Sequence, residues 1–428
     1  MSKFLVGSST AAHQVEGNNI HSDYWALENM TYTDFLEKSD MSVNQYNLYK
    51  EDIQLMKEAG LNAFRFSIEW ARIEPKKGEF DEKEIEHYKD EILECINSGI
   101  EPVVTLMHFT SPKWLIDEGG WENPQVVFYF KRYVQKVISS LGQYLNYVCT
   151  INEANMGIQV SRIEERYKKQ FMLAKTNKSL EGTVQIGMNF DKIMQNMQNK
   201  AMECQKVFGT TKPEVFVSAR TTAGDLLVCK AHVAAREIIK ELYPNIKVGI
   251  TLSLHDIQVV EGGEENVKKE WDDELEHYIP FIEGDDFFGL QNYTRSLIGK
   301  DGLMANPKDA KLTQMGYEFY PEALGHLIDK VYKELHKPIL VTENGIATTN
   351  DEDRCEFIKK ALSGLQEAQK SGAEVIGYLH WSFCDNFEWQ KGFSLQFGLV
   401  EVERDNNFKR TKKPSLDLLG SYTKIFNK

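Results

Sequence analysis

Two glutamates stand where apolar runs give out. Glu343 follows the run from residue 338 and precedes Asn344-Gly345, while Glu153 closes the run Tyr-Val-Cys-Thr-Ile-Asn from residue 147. A short apolar run reads as a buried strand, and Asn-Gly as the turn that ends it. A carboxylate at that point is costly to desolvate, so it is either neutralised by a partner or kept for chemistry. Other polar residues fall at the ends of similar runs. Arg65 and Glu69 end the second, His108 the third, Asn152 the fourth, and Gln291, Asn292 and Tyr293 the sixth. The eighth brings Trp381, Asp385, Asn386, Glu388 and Trp389. Singly, each has a plain structural account: Arg65 in an ion pair, His108 as a hydrogen-bonded core histidine, the tryptophans as packing. Together they form a convergence of acids, amides and aromatics. Two glutamates across one mouth point to cleavage of a glycosidic bond, in which one carboxylic acid protonates the leaving oxygen. The second carboxylate attacks the anomeric carbon or activates water. Tryptophan faces stack on sugar rings, amides and acids grip hydroxyls, and no histidine-rich spacing calls for a metal. No cofactor is expected.

The elements that must position these residues are readable from periodicity. Eight apolar runs, at 3–9, 63–68, 102–109, 147–152, 247–253, 286–294, 338–344 and 375–383, alternate with amphipathic helical segments. Several of those segments end in glycine, as helices do. Strands alternating with helices pair in parallel through right-handed crossovers. Eight such units predict a closed α/β (β/α)8 TIM barrel, a single domain over 1–428 with extended βα loops, its active site at the carboxyl ends of the strands. The stretch 157–220 carries basic residues and no clean strand, so it reads as a solvated helical excursion between strands four and five, with a substrate-side loop as the other reading. The acidic run 261–276 reads as a solvated face.

Composition narrows the partners. Of 428 residues, 42% are hydrophobic and 11% aromatic, enough for a large core, and the net charge of −14 argues against nucleic acid or an anionic membrane. The first residues hold too short an apolar run for a secretory segment, and none approaches a membrane span. Six scattered cysteines without close pairing read as reduced thiols. A cytoplasmic protein acting on a small molecule is expected; oligomeric state is left open.

These residues, in this order, resemble glycoside hydrolase family 1, the retaining β-glycosidases. "INEA" is similar to the family's Asn-Glu-Pro segment, "VTENG" to its Thr-Glu-Asn-Gly segment, and "HWSFCDNFEW" to its Trp-Ser-x-x-Asp-Asn-Phe-Glu-Trp pattern. "FLVGSSTAAHQVEG", "FRFSIEWARIEP", "VTLMHF", "MGYEFYPEAL" and "QFGLVEV" extend the likeness over nearly the whole chain. The resemblance implies Glu343 as nucleophile, Glu153 as acid/base, and Arg65 and Tyr293 as the groups that hold the nucleophile. It implies that Asn152 bonds the sugar 2-hydroxyl and that Gln14, His108, Glu388 and Trp389 grip the outer hydroxyls, over Trp381 as floor. Arg65 is then expected to favour ionised Glu343, a less polar setting to keep Glu153 protonated, and the carboxyls to lie about 5–5.5 Å apart.

The chain departs from the family pattern at Ala154 for proline, Phe109 for tryptophan, Gln291-Asn292 for Asn-Tyr, and Gln396 for a basic residue. The familiar His-Ala-Pro-Gly loop after the acid/base is missing. These changes leave both carboxylates in place and the aglycone preference open. Glu388 can serve the 4- and 6-hydroxyls of an unmodified hexose but would repel a 6-phosphate. Terminal β-D-glucosides are therefore the expected substrates, β-galactosides and β-fucosides secondary ones. Another β-glycoside (mannoside, glucuronide or plant glycoside), transglycosylation, and an inactive sugar-binding barrel are the alternatives.

Overall fold

Strand residues alternate between two sides, so each apolar run here serves two cores at once. A computed structural model describes residues 3–172 and 187–428. Its barrel strands are β1 Leu5–Ser9, β2 Ala63–Ser67, β3 Glu101–Thr105 and β4 Tyr147–Cys149. They continue with β5, in two segments Lys247–Gly249 and Thr251–Ser253, then β6 Phe288–Asn292, β7 Ile339–Asn344 and β8 Val375–Trp381. Seven fall inside the expected runs, and β3 begins one residue before its run of 102–109. Pairing is parallel in chain order, and β8 pairs back onto β1. The two halves of β5 close the ring: Lys247–Gly249 pairs with β4 and Thr251–Ser253 with β6. The architecture is a (β/α)8 TIM barrel.

One residue of each alternating pair faces the axis. Leu5, Ala63, Val103, Cys149, Phe287, Leu340 and Leu379 form one cluster that fills the bottom of the barrel. Their neighbours Val6, Phe64, Val104, Val148, Phe288, Val341 and Tyr378 pack outward against the helices. Helices between the strands start and stop as the residues dictate. Asp81 caps Glu82–Asn97 by accepting from the Lys83 N–H, and Gly60 ends Gln45–Ala59 in the left-handed region at φ +89.

Three differences from the sequence reading bear on the site. β3 ends at Thr105, where its pairing with the short β4 ends, so His108 stands three residues past the strand in the loop. The acidic run is solvated on one side only. Its helix Glu264–Glu274 turns Asp273 and Glu270 toward Arg162 and Arg166 of the helix Met156–Met172, at 2.6 Å in both pairs. The excursion 157–220 holds the helices Met156–Met172 and Phe190–Phe208, and its part at 173–186 lies outside the described residues. A small sheet of Asp256–Val259, Arg295–Gly299 and Gly302–Leu303 adds strands that the run pattern did not show. The six cysteines are free thiols, buried except for half-buried Cys355.

Candidate active site

Alternation carries Arg65 into the barrel two residues above Ala63, and Thr105 likewise two above Val103. Arg65 is fully buried, and its Nε donates to the Thr105 hydroxyl at 2.9 Å. The guanidinium fork then reaches both sides of the mouth. Nη1 donates to Glu343 Oε1 at 2.6 Å and Nη2 to Asn152 Oδ1 at 2.5 Å.

Glu343 reaches the axis through an irregularity. Strict alternation from Leu340 would aim Thr342 and Asn344 inward and Glu343 at the helices. The register of β7 slips against both neighbours after Val341. A bulge re-aims a side chain in this way. Glu343 thus faces Arg65, while Thr342 Oγ1 and Asn344 Nδ2 bond backward to the β6 carbonyls of Leu290 and Asn292. Gly345 follows because its Cα lies against the next strand: a Cβ there would stand 2.0 Å from the Trp381 carbonyl oxygen. The Tyr293 hydroxyl donates to the other oxygen, Oε2, at 2.6 Å.

Glu153 has a different environment. It is 2% exposed, its Oε2 has no hydrogen-bond partner among the described residues, and its backbone is left-handed at φ +42. Its N–H donates to the Thr251 hydroxyl at 3.0 Å. Burial pushes both carboxyls up. Glu153 goes well above the ordinary range, with the Glu343 charge adding to the rise and Arg65 opposing it. Glu343 is also raised by burial, with the Arg65 charge and the Tyr293 hydroxyl opposing. Arg65 therefore does favour ionised Glu343, against the desolvation cost expected where the strand leaves the core. The contrast between the two acids lies in their partners: a cation and a phenol on one and, among the described residues, no cation in contact with the other.

Asn152 Oδ1 is fully engaged, accepting also from Gln291 Nε2 at 2.8 Å and the Thr251 hydroxyl at 3.3 Å. Its Nδ2 meets His108 Nε2 at 3.1 Å, and burial pulls His108 well below its usual pKa, so the ring is neutral. With Nε2 accepting, the proton sits on Nδ1, a buried position without a partner. Gln14 spends its amide N–H on the carbonyl of Phe387 at 2.8 Å and on Asn386 Oδ1 at 3.2 Å, leaving Oε1 unpartnered. Trp381 Nε1 donates to Glu388 Oε1 at 3.2 Å, and burial raises Glu388 to about 8. The rings of His108 and Trp381 stack at 5.7 Å, and Phe109 leans on Trp389 at 5.2 Å.

These groups surround a cleft of about 340 Å³, a volume that includes space open to solvent. Gln14, His108, Glu153, Tyr293, Glu343, Trp381, Glu388 and Trp389 line it, with Arg65 and Asn152 bonded beneath. Phe109, Gly187, Met315, Tyr317 and Phe397 also line it. Met315, Tyr317 and Phe397 lie in the segments "MGYEFYPEAL" and "QFGLVEV" without having been singled out, and Thr251 was missed. Gly187 brings the excursion after strand four to the substrate side. Other strand-end residues turn out structural: Glu69 caps the Ala71 N–H, Asp385 pairs with Lys413, and Asn386 supports Gln14. Among the described residues, no cluster of three His, Cys, Asp or Glu side chains is arranged to hold a metal ion.

Paired buried carboxyls at the carboxyl-terminal mouth of a (β/α)8 barrel, ringed by tryptophans and amides, define a glycoside hydrolase. The chain matches Glycosyl hydrolase family 1 over residues 1–179 and 274–425 and belongs to that family. Its fold is similar to the crystal structure of a beta-glycosidase, at TM-score 0.86 and 36% identity, covering 99% of this chain and 96% of that one. Its sequence is 27% identical to Beta-glucosidase A of Acetivibrio thermocellus, over 96% of this chain and 95% of the relative. It is 26% identical to the aryl-phospho-beta-D-glucosidase BglC of Bacillus subtilis, over 96% and 94%. The protein is a β-glycosidase.

Proposed function

We propose that the enzyme hydrolyses terminal non-reducing β-D-glucosides by double displacement through a covalent glycosyl-enzyme. The observation that carries this reading is the unequal pairing of the two acids. Glu343 holds a guanidinium on one oxygen and a phenol on the other. Glu153 stands in the same pocket with no cation in contact among the described residues, and burial pushes it well toward its neutral form.

Ionised Glu343 attacks the anomeric carbon. Protonated Glu153 gives its proton to the departing oxygen, so the glycosidic bond breaks as the ester bond forms. Once Glu343 is esterified its charge is gone, and the Glu153 pKa falls because that charge was helping to raise it. Glu153 then takes a proton from water, which attacks the anomeric carbon and releases Glu343. Asn152, anchored on three sides, would meet the 2-hydroxyl. The free Gln14 Oε1 and His108 Nδ1–H, with Glu388, would meet the outer hydroxyls above the Trp381 floor.

The choice of sugar rests on Glu388. At about 8 its pKa keeps the acid protonated near neutrality, able to donate to one hydroxyl and accept from another. Among the described residues that line the cleft there is no lysine or arginine to neutralise a 6-phosphate. Neutral glucosides fit, with β-galactosides and β-fucosides second because one acid can reach either 4-epimer.

The test is a panel of nitrophenyl β-glycosides and their 6-phosphates, with wild type and Glu343→Gly. Turnover of the neutral glucoside should exceed that of its 6-phosphate and vanish in the variant, and azide should restore it. A 2-fluoro glucoside should label the peptide containing Glu343. A label elsewhere would overturn the nucleophile, and faster turnover of the 6-phosphate would overturn the substrate.

A further inference from the structure

We propose that Arg220 is a positioning residue for the general acid/base, acting on Glu153 through the main chain of Ala154. The inference rests on the reading of Glu153 given above.

A non-glycine residue keeps a left-handed backbone only where its surroundings over-determine it. Glu153, at φ +42, is held in that region from two sides. On the β5 side, Thr251 does the holding. Its hydroxyl accepts the Glu153 N–H at 3.0 Å and its carbonyl the Ala154 N–H at 3.1 Å. The second bond exists only because residue 154 is not proline, which has no N–H to give. On the far side, Arg220 Nη1 donates to the Ala154 carbonyl at 3.0 Å. Ala154, the residue that follows the acid/base, is thus gripped at its N–H by Thr251 and at its carbonyl by Arg220.

Arg220 is built into place. It is 6% exposed, its Nη2 donates to the Phe216 carbonyl, and its guanidinium lies over the Phe216 ring at 4.4 Å. Its own N–H is held by Ser161 Oγ at 2.8 Å and the Gly157 carbonyl at 3.2 Å. Gly157 leaves the room: a Cβ there would come within 2.5 Å of the guanidinium carbon. The neighbouring carboxylate, Asp225, stands 3.7 Å away and already accepts from the Tyr278 hydroxyl at 2.8 Å and meets His277 Nε2 at 2.9 Å. A buried guanidinium spent mainly on two carbonyls is costly. The planar fork that spans both is what lysine could not reproduce.

The same segment supports a second departure from the family pattern. Phe216 stacks on Phe109 at 6.0 Å and 27°, and Phe109 lines the sugar cleft. The segment from Phe216 to Arg220 therefore backs the cleft at Phe109 and the acid/base at Ala154. Without Arg220, the Ala154 carbonyl is released and Glu153 loses its fixed approach to the leaving oxygen. Glu343, held by Arg65 and Tyr293, is untouched.

The experiment compares kcat/KM for phenyl and 2,4-dinitrophenyl β-glucosides in wild type, Arg220→Met, Arg220→Lys and Glu153→Ala. Active sites are counted by the dinitrophenolate burst from the 2-fluoro glucoside. A dinitrophenolate needs no proton to depart, whereas phenolate does. Arg220→Met should keep a full burst and lose about tenfold to 100-fold on the phenyl glucoside, the order expected of a misplaced catalytic group. On the dinitrophenyl glucoside it should lose less than about threefold. Arg220→Lys should show the same pattern, more weakly. Equal losses on both substrates, or no loss, with a full burst, would overturn the proposal. So would disappearance of the burst in both arginine variants, which would make Arg220 a residue of the fold alone. Glu153→Ala separates the two readings. If it shows no leaving-group dependence, the acid/base assignment itself fails; if it does and Arg220→Met does not, only the present inference fails.

Discussion

Replacing Tyr293 by phenylalanine removes one hydroxyl from the site and tests the electrostatics of Glu343, the proposed nucleophile. That hydroxyl donates to Glu343 Oε2 at 2.6 Å, and burial together with the facing Glu343 charge pushes the phenol well above its ordinary pKa, so it stays a donor. A hydrogen bond to a charged group contributes about 1.5–3 kcal/mol, and one pKa unit corresponds to about 1.36 kcal/mol. If the bond favours chiefly the ionised carboxylate, its loss raises the pKa of Glu343 by about 1–2 units. The sign follows from the chemistry. Attack needs the carboxylate; a raised pKa keeps Glu343 protonated to higher pH, so activity is lost earlier on the acid side. The acid limb of kcat/KM, which reports the free enzyme, should move up by about 1–2 units in Tyr293→Phe. Because the two acids interact, the limb belongs to the pair, and the measured quantity is its displacement between wild type and variant. The assay is the pH profile of kcat/KM with 4-nitrophenyl β-glucoside for both proteins. A limb that stays in place, or moves to lower pH while the plateau falls, would refute the account of how Glu343 is kept ready.

Two further changes test the frame around the site. Glu91 is 1% exposed, accepts from Gln45 Nε2 at 2.9 Å, and is raised by burial, and next by the Glu16 charge, to about 8. Its folded pKa lies above the unfolded value, so the folded state binds the extra proton and stability declines as pH rises from the unfolded pKa through the folded one. Glu91→Gln should therefore raise the melting temperature more at about pH 9 than at about pH 5; an equal change at both would contradict the burial argument. Gly345→Ala would drive a Cβ to 2.0 Å from the Trp381 carbonyl. Overpacking of this kind costs about 1–3 kcal/mol. The variant should melt lower and label more slowly with the 2-fluoro glucoside, and an unchanged melting curve would show that the β7–β8 contact yields freely.

The barrel was legible because its signal is repeated and local. Eight apolar runs each bury two faces, so the count of strands and the parallel order follow from composition and spacing. Run boundaries were less legible, and for a physical reason. β3 and β4 stop together at the Thr105–Cys149 pair, yet apolar residues continue past both because the loops above them are buried as well. Leu106, Met107 and Ile151 extend the hydrophobic pattern without extending the ladder. The pairing of Arg162 and Arg166 with Asp273 and Glu270 was invisible for the opposite reason. A basic stretch and an acidic stretch about 100 residues apart each look like solvated faces until the fold brings them together.

The site shows where periodicity and chemistry part company. From Ala63 to Arg65, Val103 to Thr105 and Leu379 to Trp381, counting by two from the bottom of the barrel finds the inward residue. The same count from Leu340 finds Thr342 and puts Glu343 against the helices. Only the register slip after Val341 turns the glutamate to Arg65, and nothing in the alternation of residues 338–344 announces it. The family's Thr-Glu-Asn-Gly segment encodes that slip as a unit: Thr342 and Asn344 take up bonds to the β6 carbonyls, and Gly345 clears the Trp381 carbonyl. Glu153 follows the same logic in another form, a residue four positions past the end of β4 turned by a left-handed backbone. Both acids reach the axis by leaving regular strand geometry, which is how a barrel can hold two ionisable groups face to face above a packed apolar floor. Regular alternation supplies the floor and Arg65, and local irregularity supplies the carboxylates.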